Sequence, residues 1–486
     1  MKILSLLLFI LVTQTPQAKA DIAFPADFFF GVANAPSQVE DELIDTWVSW
    51  ANKGKVVAYH NQTLPEERIR FWSEPEKELD LAASAGVKVF RLGVDWARLF
   101  PSENSTTPDP AAVARYREIL KMIKDRKMKV MLTIFHHSEP EWTLAKGSWA
   151  NPKMLDYFKI FSESVVNEFG DMVDYWITFN EANIYLLMTQ VVNAWPNKDN
   201  KPNPLGLFNF PFIKGKYERS LERIGEAHRN LYHYIKKQNP NAQVGFAHNV
   251  ADYTASGPLS VISAWISNHK FNDLFMKMTV GYSDFIGINF YGAEIIKGLR
   301  VTLSNRYEYS DSGRAVSPNS FYDVLKSFHR KYNIERKHRL KNDKRILPII
   351  ITENGVADAE DWMRPSFLIE HLHALHKAMS EGVLVSGYIT WTLTDNFEWS
   401  DGYCPKFGLV AVDRKNNFER QPRESYYIFE SIAKTHSISS IERANAWKRV
   451  LDKVGKPRAF CRSRDGITPL DTPRYIPVRS IDWRFH

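Results

Sequence analysis

Two glutamates stand where a pair of carboxyl groups could cut or transfer a glycosidic bond. Glu353 lies in Ile349–Gly355, IIITENG, and Glu181 in Val173–Asn183, VDYWITFNEAN. Each follows an apolar, β-branched or aromatic run and precedes turn chemistry, so each is expected at the carboxyl end of a buried strand. Glycoside cleavage with retention needs one carboxyl protonated, to deliver a proton to the departing oxygen, and a second ionised, to attack the anomeric carbon from the opposite face. Glu353 is expected to be the nucleophile, held ionised by the guanidinium of Arg91. Glu181 is expected to be the acid, its proton retained by the negative charge on Glu353; once Glu353 is esterified, Glu181 can act as base. Asn180, directly before the acid, is placed to hydrogen-bond a sugar 2-hydroxyl, where contacts strengthen in the transition state.

The elements that must position these groups alternate between strand-like and helix-like patterns. Eight strand-like runs follow one another: Phe28–Pro36, Val87–Trp96, Lys129–His137, Tyr175–Asn180, Gln243–Asn249, Asp284–Gly292, Ile346–Asn354 and Leu384–Asn396. Helical patterns lie between them, among them Glu74–Ala85, Ala111–Arg126, Asn151–Phe169, Tyr217–Lys237 and Pro365–Glu381, several opened by proline or Asn-Pro. Eight strand-then-helix repeats with near-continuous apolar strands predict an α/β fold, a (β/α)8 TIM barrel. His136, Asn180, Glu181, Asn289, Tyr291, Glu353, Asn354 and Trp391 bunch at strand ends, the rim where such barrels carry chemistry. The connections Val192–Tyr217 and Lys297–Ser320 read as long loops over that catalytic face. Beyond His436, Ile441–Val454 reads as a short helix and Gly455–His486 as an extended tail wrapped on the barrel. The expected division is a leader at 1–20, a glycosidase barrel at 21–436 and a C-terminal extension at 437–486.

Composition narrows the class. Aromatic residues make up 13% of the 486, which suits a cleft that grips flat, hydroxylated ligands. Lys2, the apolar run Ile3–Val12 and Ala18-Lys19-Ala20 form a leader pattern with Asp21 as first mature residue, so the chain is expected to be exported, secreted or periplasmic. An uncleaved, membrane-associated N-terminus is the competing reading, and the run is short for a bilayer span. The net charge of +7 owes much to His329–Arg345, read as a solvated helix end and loop; without aromatic interleaving it does not indicate nucleic acid. Cys404 and Cys461 form no zinc pattern, and their pairing in an oxidising compartment is left open. Asn61-Gln62-Thr63 and Asn104-Ser105-Thr106 are glycosylation acceptors in a host that glycosylates exported proteins. No metal or organic cofactor is expected, because two glutamates supply proton transfer and covalent catalysis.

TFNEAN at Thr178–Asn183 and ITENG at Ile351–Gly355 resemble the acid/base and nucleophile motifs of the family 1 glycoside hydrolases, retaining β-glycosidases on (β/α)8 barrels. The resemblance runs from about Phe24 to Ser431. It implies sugar-binding roles for Gln38, His136, Asn180, Trp391, Glu398 and Trp399, an orienting role for Tyr291 toward the nucleophile, and a place beside it for Arg91. FFFGVANAPSQVEDEL at Phe28–Leu43, FHHSEP at Phe135–Pro140 and DNFEWSDGYCPKFGLVAVDR at Asp395–Arg414 are most similar to the plant members that move galactosyl groups between galactolipids. The expected substrate is therefore a β-galactoside or β-glucoside, with galactolipid as a candidate and peripheral membrane contact as a corollary. His137 and Ser138 stand where ordinary members carry Trp and Asp, and Ala182 where they carry proline. The competing class is a catalytically silent sugar- or receptor-binding barrel, against which the retention of both glutamates speaks. Oligomeric state is not legible.

Overall fold

The computed structural model describes residues 20–56, 67–198, 214–298, 300–453, 456, 458–463, 468–476 and 482–485. The expected leader core and the Asn61 sequon lie outside the described residues. Eight strands build the centre: β1 Phe29–Ala33, β2 Val89–Gly93, β3 Lys129–Phe135, β4 Tyr175–Asn180, β5 Gln243–Ala255, β6 Ile286–Lys297, β7 Ile349–Asn354 and β8 Val385–Thr390. Each pairs in parallel with the next, and β8 pairs with β1, so the sheet closes. Helices follow in turn: α1 Glu76–Ser84, α2 Pro110–Asp125, α3 Met154–Phe169, α4 Lys216–Gln238, α5 Leu274–Thr279, α6 Pro318–His329, α7 Arg364–Ser380 and α8 Glu424–Thr435. This is the (β/α)8 barrel, and its strands are apolar nearly throughout because side chains on one face fill the barrel and those on the other meet the helices.

Two departures from the expected pattern matter for the site. β5 and β6 continue past the rim, staying paired out to Ala255 and Ile296, and β6 picks up the antiparallel strand Arg300–Thr302. The apolar-and-polar mixture of those extensions resembles loop composition, and mutual pairing keeps them extended. Between the two strands a mouth helix, Val261–Ser267, runs through the π-helical turn Asn268–Asp273 into α5. The Lys297–Ser320 connection holds, besides Arg300–Thr302, the short strands Glu308–Tyr309 and Ala315–Val316.

The tail is more ordered than an extended wrap. Helix Ser440–Lys453 packs Trp447 and Val450 with Trp483 against Trp362, Met363 and Phe367. Strand Arg458–Arg462 pairs with Pro469–Ile476, and a disulfide joins Cys461 to Cys404 on the rim. Arg458 donates to Glu308 at 2.7 Å and the Cys461 amide to the Asp311 carbonyl at 2.7 Å, which seats this strand beside the cavity mouth. A cross-link between residues 57 apart confines the unfolded chain by roughly 4 kcal/mol on loop entropy. Cys461→Ser is therefore expected to release the tail strand at lower temperature than the barrel melts, measured as early protease cleavage within 458–476. Cleavage no faster than in the intact protein would show that packing alone holds the tail.

Candidate active site

The barrel gathers its polar strand ends at one mouth, as parallel strands closed in register require. Glu353, the penultimate residue of β7, and Glu181, just past β4, are both buried and line one cavity of about 510 Å³. Glycine after Asn354 has a local cause: a Cβ at Gly355 would stand 1.9 Å from the Trp391 carbonyl, so only glycine lets β7 and the end of β8 converge here. Glu181 itself takes left-handed backbone angles, φ 43° and ψ 50°, as do His137 and Trp399 at the same rim. Such non-glycine conformations are held by surrounding structure and gather where side-chain aim matters.

Arg91 on β2 has no exposed surface and joins both glutamate neighbourhoods. Its Nη1 donates to Glu353 Oε1 at 2.6 Å and to the Thr352 carbonyl at 3.0 Å, Nη2 to Asn180 Oδ1 at 2.7 Å, and Nε to Thr133 at 3.1 Å. Tyr291 donates to the other oxygen of Glu353 at 2.6 Å. Asn289 on β6 donates to Asn180 Oδ1 at 3.1 Å and to Glu181 Oε1 at 2.8 Å, and Asn249 on β5 donates to that same Oε1 at 2.9 Å. An unbroken relay thus runs Glu353, Arg91, Asn180, Asn289, Glu181. Both donors to Glu181 fall on Oε1, so a proton on this carboxyl sits on Oε2.

The electrostatics differ in part from expectation. Burial pushes Glu353 up to about 7, against the pull of Arg91 and with a further push from Glu181. Glu181 is raised as well, chiefly by burial, while Asn249, Asn289, Arg314 and Arg91 pull it down. Arg91 is the expected cation, yet it does not restore Glu353 to the ordinary carboxylate range, and burial rather than repulsion is the first reason Glu181 is raised. The asymmetry lies in the partners: Glu353 touches a guanidinium, Glu181 only neutral amides, so the charge of a singly ionised pair settles on Glu353. Glu398 is pushed up to about 8 by burial, with Asp401 and Glu353 adding to it.

Asn180 Oδ1 is occupied by two donors, which fixes its amide. Nδ2 then faces His136 Nε2 at 3.0 Å and His137 Nε2 at 3.3 Å, so both imidazoles accept there and carry their proton on Nδ1. Burial holds both neutral, His137 down to about 3 and His136 well below its usual range. Gln38 is fully buried behind the cavity wall, donating to Glu398 Oε2 at 3.2 Å, while its Oε1 and the Nδ1 of both histidines have no partner among the described residues. Those unmet donors and acceptors fit hydroxyl groups, which both give and accept. Trp391, Trp399 and Glu398 line the cavity with His136, Asn180, Glu181, Tyr291 and Glu353, whereas Gln38 and Arg91 are fully buried behind that lining and act on it through Glu398 and Glu353.

Several neighbours were not assigned from the sequence. Asn289 was placed at the rim without a role and Asn249 was passed over; both hold Glu181, and asparagine at a strand end was the available signal. Arg314, paired to Glu294 at 2.8 Å, and Arg462, paired to Asp401, line the cavity from the rim connection and the tail. Past Glu181 the wall turns apolar, with Leu187, Met188, Trp195, Ile266 and Phe271, and ends at the mouth helix. Among the described residues no group of three or more His, Cys, Asp or Glu is placed to hold a metal, and no helix is long and apolar enough to cross a membrane.

The family model for glycosyl hydrolase family 1 matches residues 20–280 and 266–438. The chloroplastic galactolipid galactosyltransferase SFR2 of Arabidopsis thaliana is 38% identical over 94% of this chain and 82% of its own. A β-galactosidase of Pyrococcus woesei is 26% identical over 86% of this chain and 98% of its own. Among solved structures, the hyperthermophilic β-glucosidase of Pyrococcus furiosus superposes with a TM-score of 0.75 at 25% identity, covering 87% of this chain and 98% of that one.

Proposed function

The chain belongs to glycosyl hydrolase family 1, and on that basis we propose that it is a retaining β-glycosidase working by double displacement, with a β-galactosyl lipid as donor. The observation that carries this reading is the relay that ties a guanidinium-bound Glu353 to an amide-bound Glu181 across one cavity. In the first step an oxygen of Glu353 bonds to the anomeric carbon as the glycosidic bond breaks, and Glu181 passes its Oε2 proton to the leaving oxygen. In the second, Glu181 takes the proton of an acceptor hydroxyl, which bonds to the anomeric carbon and frees Glu353. Arg91 and Tyr291 hold the nucleophile, Asn180 borders the cavity on the side of the 2-hydroxyl, His136, Trp391, Glu398 and Trp399 seat the sugar, and Gln38 orients Glu398 from behind the wall. The apolar wall beyond Glu181 suits an alkyl aglycone and a second lipid as acceptor, in line with the 38% identity to a galactolipid galactosyltransferase. Cleavage of the leader before Asp21, and hence export, belongs to the same proposal and is checked by sequencing the mature N-terminus.

Incubation with monogalactosyl diacylglycerol tests the substrate: oligogalactolipid and diacylglycerol are expected, whereas free galactose alone would leave a hydrolase. Inactivity on this lipid and on aryl β-galactosides and β-glucosides alike would favour a silent sugar-binding barrel.

A pH profile probes the nucleophile's setting. The Tyr291 hydroxyl favours the ionised form of Glu353, so Tyr291→Phe raises its pKa further above about 7, and the ionised fraction at a given pH falls. The acidic limb of kcat/KM on an aryl β-galactoside should move up by roughly one to two pH units, given about 1.5–3 kcal/mol for a hydrogen bond to a charged group. A limb that stays in place would detach Tyr291 from the titrating group.

A further inference from the structure

The mouth helix is apolar on the outside as well as toward the cavity. Leu259 is 96% exposed, Ile262 72%, Trp265 60% and Val261 56%, all within one turn-and-helix segment at the rim. Isolated exposed leucines need no explanation, but four large apolar side chains in seven residues, one a tryptophan, make a patch that water does not favour. Beside them Lys297 at the end of β6 and Arg300 at the start of Arg300–Thr302 are both exposed, and the Gly298 amide donates to Ser260 at 3.0 Å, which holds the end of β6 against the patch. The same segments form the lip of the cavity, where the exposed Ile262 and Arg300 join Ile266 and Val301 in its lining. One surface is therefore apolar, edged by cations, and continuous with the wall that leads to Glu181.

We infer that Pro258–Ser267, with Lys297 and Arg300 beside it, forms a docking surface for a lipid bilayer, delivering galactolipid to the cavity without the lipid leaving the membrane. The inference rests on the galactolipid reading and adds where and how the substrate is met. A tryptophan with leucine and isoleucine beside it matches the boundary between headgroups and acyl chains, and Lys297 and Arg300 complement anionic headgroups there. A soluble sugar would need no such surface. A lipid whose two chains must stay shielded from water does, because every methylene exposed to water is unfavourable.

The test is sedimentation of the mature chain with vesicles of monogalactosyl diacylglycerol and phosphatidylglycerol, compared with the double variant Leu259→Glu, Trp265→Gln and with Lys297→Glu. The double variant should lose tenfold or more in vesicle binding while its turnover of a soluble aryl β-galactoside and its melting temperature stay as in wild type. Lys297→Glu should weaken binding about threefold or more at low salt, and less in vesicles without the anionic lipid. Glu353→Gln should bind vesicles as wild type does, which separates docking from chemistry. Equal vesicle binding by wild type and double variant overturns the inference. So does a wild type that ignores vesicles and runs as a dimer that the double variant dissociates, since the patch would then join two copies. Normal vesicle binding with no turnover of the lipid would leave the docking surface and overturn the galactolipid reading.

Discussion

Glu353→Gln is expected to lose on the order of 10⁴-fold or more in kcat/KM on every β-glycoside the protein accepts, whatever the leaving group. Glutamine keeps the shape and the contact with Tyr291 but cannot form the ester on which both steps depend, and a loss of that size is about 5.5 kcal/mol of transition-state stabilisation. Arg91 would then face a neutral amide at 2.6 Å from where it now meets a carboxylate, so the folded protein also keeps an unneutralised buried cation. Glu353→Gly with azide separates the two effects. The small anion enters the vacated space and attacks an activated donor from the nucleophile's side, giving an α-glycosyl azide. Substantial residual turnover by Glu353→Gln, with unchanged stereochemistry, would place the nucleophile elsewhere.

Glu181→Ala is expected to behave differently with different substrates. A leaving group that departs well as an anion, such as a dinitrophenolate, needs little protonation, so formation of the glycosyl-enzyme survives and the intermediate accumulates. An alkyl leaving group, as in a glycerolipid, needs the proton, and its cleavage should fall by about 10²–10⁴-fold. Azide restores turnover of the activated substrate and yields the β-glycosyl azide, because it replaces the acceptor that Glu181 would have deprotonated. Equal losses on both leaving groups would mean that the buried carboxyl at 181 serves the architecture and not the proton. Asn249 and Asn289, which both donate to its Oε1, are the residues through which such a structural role would run.

The barrel was legible because its eight strands are buried on both faces, and continuous apolar runs ending in Asn, Glu or His leave few alternatives. The two glutamates and Arg91 were legible for the same reason: a charged group inside or just past such a run has to find a partner, and β2, β4 and β7 bring these three together. Asn249 and Asn289 were harder, since an asparagine at a strand end caps a turn as readily as it holds a carboxylate. The overshoot of β5 and β6, with the mouth helix between them, was not legible. Its exposed Leu259, Ile262 and Trp265 break the amphipathic period that marks a helix lying on a core, which is the property that makes the segment a candidate membrane contact. Arg462 escaped notice because contacts between residues far apart in sequence, the Cys404–Cys461 link and the hydrogen bonds from Arg458 to Glu308 and from Cys461 to Asp311, bring a residue so late in the chain to the rim. The source of the proton on Glu181 was misjudged in sequence for a physical reason. Repulsion by a neighbouring charge can be inferred from two motifs, whereas the depth of burial that outweighs it depends on the whole mouth.

The most direct test of the account is the anomer first formed when an aryl β-galactoside is turned over in deuterated buffer, followed by proton NMR before mutarotation. Double displacement through Glu353 predicts the β-anomer as the first signal, with the α-anomer appearing only as free sugar equilibrates. An α-anomer formed first would mean single displacement by water, and Glu353 would then be a base and not a nucleophile.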